Sequence, residues 1–124
     1  MDIDVGSVAM SRCAPYAVSV FSGHTLDDVC NMFLRVGWHP DQGATLEQTC
    51  AVLVGLGIRS RVSRGAGLPS VGIVFVAGQT CHAVSVRHGR IQEIKEQVPL
   101  PIKVWHSRHS ARYPRVVGCI EILG

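Results

Sequence analysis

No apolar run in this 124-residue sequence approaches the ~18 residues that a membrane span needs. The start, Met1-Asp2-Ile3-Asp4-Val5, lacks the basic leader and hydrophobic stretch of a secretory signal. The expectation is a protein that stays inside a cell, in the cytoplasm, or a piece of something longer. Cys-x-x-Cys does not occur, nor does its pairing with a spaced His-His, which argues against a structural zinc site. Aromatic residues make up 6% of the chain and the net charge is +3, little of either for a basic stacking surface. Neither an internal repeat nor a linker is visible. Residues 1–124 therefore read as one domain with a single packed core.

What is present is a hydrophobic content of 47%, typical of a globular chain, and five cysteines at 13, 30, 50, 81 and 119. The odd count and irregular spacing do not suggest a disulfide framework. They point to a reducing compartment with at least one thiol free to react. Cys30 and Cys50 fall in helical patterns and Cys119 in a strand-like run, so all three are expected in the core.

The local patterns change character midway. Cys13, followed closely by Pro15 and an apolar run, predicts a helix with its first turn at the cysteine. Thr25 with Asp27 and Asp28 opens a second helix that ends near Gly37. Thr45 and Gln48 form a capping-box candidate for a third, stopped by Gly55 and Gly57. From Ile58 the chain reads as strands: an edge strand to Val62, a buried run Val71 to Val76, and Cys81 to Val86. A His88-Gly89 hairpin turn then leads into Arg90 to Ile94, with further strand-like pieces from Val98 to Val104 and Val116 to Ile122. Three helices followed by an antiparallel sheet predict an α+β fold.

A thiol at the head of a helix faces the positive end of the helix dipole, which favours thiolate. Such a nucleophile needs a base, and the base needs a group that holds its tautomer. Among six histidines, His82 begins a strand behind a Gly78-Gln79-Thr80 turn, a rigid platform. His24, His39, His88, His106 and His109 read as surface residues. The hairpin brings Glu93 or Gln92 beside His82, within cross-strand reach. Strand alternation sends these two to opposite faces, so a slip of one residue would exchange them as the orienter.

A cysteine at the head of a helix, a later Gly43-Ala44-Thr45-Leu46-Glu47-Gln48 helix start and the stretch His82-Ala83-Val84-Ser85-Val86 through Glu93 resemble papain-like cysteine peptidases. The likeness is to compact ones: bacteriocin-processing peptidases and small viral or phage papain-like proteases, for which the compartment would be host cytoplasm. It spans roughly residues 7 to 94. It implies a papain-like fold with helices packed on a C-terminal sheet, Cys13 as nucleophile, His82 as base and Glu93 as third member. The implied reaction is peptide-bond hydrolysis through a thioester, with no metal or other cofactor. Glu93 stands where the family usually has Asp or Asn, and no glutamine precedes Cys13 to help hold the oxyanion. The Cys13 backbone N–H, with Ser7, Ser11 or Gln79, would fill that role. The terminal Gly124 raises the expectation of autoprocessing, a viral or phage polyprotein released by its own cut there.

Other readings stay open. The chain would also suit a catalytically inactive papain-like module that binds a peptide. It would also suit a small nucleic-acid-binding domain using Lys103, Arg108, Arg112 and Arg115, although a sparse basic run of this kind usually forms a solvated loop. Metal binding through Cys81, His82 and His88 would need a fourth ligand that the sequence does not supply.

Overall fold

The computed structural model describes residues 12–63, 67–78, 80–96 and 98–123. Helix α1, Cys13–Ser22, starts behind Arg12 without a side-chain cap and ends at Gly23 in the left-handed conformation. Helix α2, Leu26–Arg35, begins where the Thr25 hydroxyl accepts the Asp28 N–H, with Asp27 and Asp28 at the positive end of its dipole. Helix α3, Leu46–Gly55, carries the full capping box: Thr45 accepts from the Gln48 N–H, and the Gln48 side chain accepts from the Thr45 N–H. Gly55 still belongs to this helix. The left-handed turn comes at Gly57.

The strands are β1 (Ser60–Ser63), β2 (Val71–Ala77), β3 (Cys81–Arg87), β4 (Arg90–Gln92), β5 (Leu100–Pro101) and β6 (Arg115–Ile122). They form one six-stranded antiparallel sheet in the order β1-β6-β2-β3-β4-β5. His88 and Gly89 both have positive φ, 51° and 80°, as a two-residue hairpin turn matched to strand twist requires. The architecture is α+β, helices first and sheet after, as expected.

The central strands β2 and β3 are buried on both faces, which explains the unbroken apolar run in β2. One face packs Ile73, Phe75, Ala83 and Ile120 against α1, α2 and α3, where Phe33 and Leu53 are fully buried. The other packs Val74, Val76, Val84, Val86 and Ile91 against Trp105 and Tyr113. Trp105 sits on a fourth helix, α4 (Ile102–His109). Two expectations fail here. The run from Val98 to Val104 yields only the two-residue β5 before α4 starts at Ile102, and the supposed basic loop is helical through His109. Burial of Trp105 on the sheet, together with pairing of Arg108 and His109 to Glu96, overrides the weak local pattern. The strand expected to reach Ile94 ends at Gln92, because Glu93 and Glu96 exchange backbone hydrogen bonds in a turn.

Among the described residues, no helix is long and apolar enough to cross a membrane.

Candidate active site

Cys13 opens α1 and is 5% exposed. Its sulfur accepts the Ala83 backbone N–H at 3.3 Å. The reason lies in the ladder. β4 pairs with β3 only from Ser85 to Arg87, and beyond Gln92 the partner chain turns away. By alternation the Ala83 N–H points to that vacated side. It would be a buried orphan donor without the sulfur. The end of α1 therefore seats against a gap in the sheet, and the thiol sits where the two meet.

His82 is 1% exposed and projects from the face opposite the three N-terminal helices. Its Nε2 lies 2.9 Å from Glu93 Oε2, and the Tyr113 ring stacks over it, centroids 5.0 Å apart at 15°. Nδ1 is buried with no hydrogen bond of standard geometry. The remaining neighbour that acts on the ring is the Cys13 thiol. Burial alone would lower the imidazole pKa. Contact with Cys13 and Glu93 outweighs it and raises the value from 6.5 to about 9.

Glu93 is also 1% exposed. Oε2 accepts from His82 and from Trp105 Nε1, the latter at 2.8 Å, and Oε1 accepts the Lys95 N–H at 3.1 Å. Burial pushes this carboxyl up, but the hydrogen bond and positive charge of His82, with the Trp105 donor, bring it below its ordinary 4.5. The pair is thus a buried imidazolium and carboxylate. Ser85 pairs with Gln92 and Val86 with Ile91, so Glu93 falls opposite Val84 and reaches His82 along the diagonal.

Gln92, the alternative orienter, points the other way. Its Nε2 donates to the Tyr16 hydroxyl at 2.8 Å and ties α1 to the sheet. Ser7, Ser11 and Gln79, named as oxyanion donors, lie outside the described residues. His24, His39, His88 and His106 are exposed as expected. His109 is not: it is half-buried, 2.8 Å from Glu96, with its ring against Trp105. Cys30 and Cys119 are buried, whereas Cys50 is only partly so. Among the described residues no three His, Cys, Asp or Glu side chains converge for a metal. Cys81, His82 and His88 in particular are spread along β3 and its turn.

Sequence reasoning missed Trp105 and Tyr113. A signal existed: each is one of only two residues of its kind, and both fall in a stretch otherwise polar and basic. Two recesses flank the turn between β2 and β3. One, about 510 Å³, lies on the helical side between Thr45, Leu46, Phe75, Cys81 and Val117. The other, about 580 Å³, is lined by Gly78, Ala111, Arg112, Pro114 and Arg115.

No known family model matches this chain, and no curated protein matches it in sequence.

Proposed function

We propose that this protein is a papain-like thiol hydrolase that cleaves peptide bonds. The single observation that carries the reading is the Cys13 sulfur seated on the Ala83 N–H, next to His82, whose ring is held from its far side by the buried Glu93 carboxylate. That order is the one nucleophilic catalysis by a thiol needs: sulfur, a ring that exchanges its proton, and an anion that fixes the ring. The Ala83 N–H adds a donor that binds anionic sulfur more strongly than neutral sulfur.

In the proposed reaction, deprotonated Cys13 sulfur attacks the peptide carbonyl carbon. The imidazolium of His82 passes its proton to the leaving amine nitrogen as the C–N bond breaks, which leaves a thioester. His82, now neutral, takes a proton from water as the water oxygen attacks the thioester carbon. The carboxylic acid departs and the sulfur is freed. The Cys13 N–H lies in the first turn of α1, where backbone donors have no intrahelical partner, and it serves the oxyanion. The recess walled by Leu46, Phe75 and Val117 suits an apolar side chain of an extended polypeptide.

The test is digestion of a mixed peptide library by the parent, Cys13→Ala and His82→Ala proteins. Cleavage by the parent alone is expected. Equal cleavage by Cys13→Ala would overturn the reading. No cleavage by a folded parent would leave the peptide-binding module in its place.

A further inference from the structure

We infer that the recess beside Tyr113 selects an acidic side chain, aspartate or glutamate, at a fixed position in the polypeptide that the site cleaves; the inference rests on the peptidase reading. Three observations converge on it.

The recess adjoins the turn that leads into β3 and His82. Tyr113 stacks on His82, so its neighbour Arg112 and, beyond Pro114, Arg115 are anchored to the same ring. Ala77 pairs with Cys81 on one side and with Arg115 on the other. Arg115 therefore stands about 10 Å across the sheet from the residue preceding His82. The segment is also held from below. Gly78 packs so closely on the Arg112 carbonyl that a side-chain carbon there would collide with it.

The two guanidinium groups are not neutralised. The carboxylates of Asp27, Glu121 and Glu96 pair with Arg12, Arg61 and Arg108, and Glu93 is taken by His82. Among the described residues, neither Arg112 nor Arg115 has an ion-pair partner. A planar guanidinium matches a carboxylate through two parallel hydrogen bonds, so two of them in one recess favour a carboxylate.

The basic stretch is also not a stripe. Arg108, which would continue it toward Lys103, is turned into an ion pair with Glu96. What remains is a pair of cations beside the turn that leads into His82, a geometry suited to one substrate side chain rather than to a run of phosphates.

The experiment reads cut sites by mass spectrometry in a proteome-derived peptide library digested by the parent, Arg115→Ala and Arg115→Glu proteins. The rate of Cys13 alkylation is measured alongside as a check that the site is intact. The parent is expected to enrich Asp and Glu by about three- to tenfold at one fixed distance from the cut, less at high salt. Arg115→Ala should flatten that enrichment. Arg115→Glu should replace it with Lys and Arg while Cys13 still alkylates at the parental rate. Cutting without acidic enrichment, or enrichment unchanged in Arg115→Glu, overturns the inference and leaves the peptidase reading intact. Absence of any cutting by the parent overturns both. Salt-sensitive binding of single-stranded RNA that Arg115→Glu abolishes, beside a flat cut profile, would assign the recess to nucleic acid and overturn the inference.

Discussion

Trp105 and His82 hydrogen-bond the same oxygen of Glu93, at 2.8 and 2.9 Å. One carboxylate oxygen thus serves α4 and the sheet together. A displacement of the helix is felt directly at the imidazole. The 93–96 turn is held a second time, because Glu96 accepts from Arg108 and His109 of the same helix.

Trp105→Phe keeps most of the packing and deletes the donor. A hydrogen bond to a charged group contributes about 1.5–3 kcal/mol, so stability should fall by about that amount. Peptide hydrolysis should fall by roughly tenfold, since the carboxylate loses one of its fixed partners. NMR titration of His82 would show the ring pKa displaced from its parental value. An unchanged titration with lost activity would mean that Trp105 acts only through packing.

The buried ion pair makes stability depend on pH in a defined window. His82 has its pKa raised from 6.5 to about 9, so its contribution is complete below pH 6.5 and disappears as pH rises through about 9. Glu93 has its pKa lowered from 4.5, so its contribution is present above that value and is lost as pH falls through the depressed one. Both contributions coexist between pH 4.5 and 6.5. Breaking such a pair costs about 3–5 kcal/mol. Denaturation of Glu93→Gln should show its greatest loss of stability in that window, narrowing toward pH 9. A loss that does not vary with pH would mean that the two groups are not paired as ions.

Alkylation should single out one thiol. Burial pushes the thiols of Cys30, Cys50 and Cys119 above their ordinary 9.0, and Cys81 is exposed on β3. Iodoacetamide, followed by peptide mapping, should modify Cys13 before the other four. Preferential modification of Cys81 would contradict Cys13 as the nucleophile.

Gly78→Ala should damage the site from a distance. The new methyl meets the Arg112 carbonyl and forces the segment carrying Tyr113 outward. Overpacking of this kind costs about 1–3 kcal/mol. Hydrolysis should fall more than in Gly43→Ala, where a side-chain carbon meets nothing within 4 Å. Equal activity in the two variants would free Tyr113 of any part in holding the ring.

Much of the site was legible because its parts are local. Cys13 with Pro15 marks a helix start, and His88-Gly89 marks a hairpin that sends Glu93 and Gln92 back toward His82. The choice between those two was not legible. It depends on a register in which Ser85 meets Gln92, and on where the ladder stops. Both follow from how tightly Glu93 is claimed by Trp105 and Lys95, groups that no pattern in the strand itself reveals.

The sequence by itself determined the three capped or glycine-ended helices, the apolar central strands and the tight turn, since each rests on contacts between residues a few positions apart. Only the tertiary structure decided that Ala83 offers its N–H to a sulfur 70 residues away, that Val98 to Val104 yields a two-residue strand and then a helix, and that Tyr113 covers the imidazole. Those outcomes depend on which buried groups would otherwise lack partners, and that is settled when the two faces of the sheet are covered.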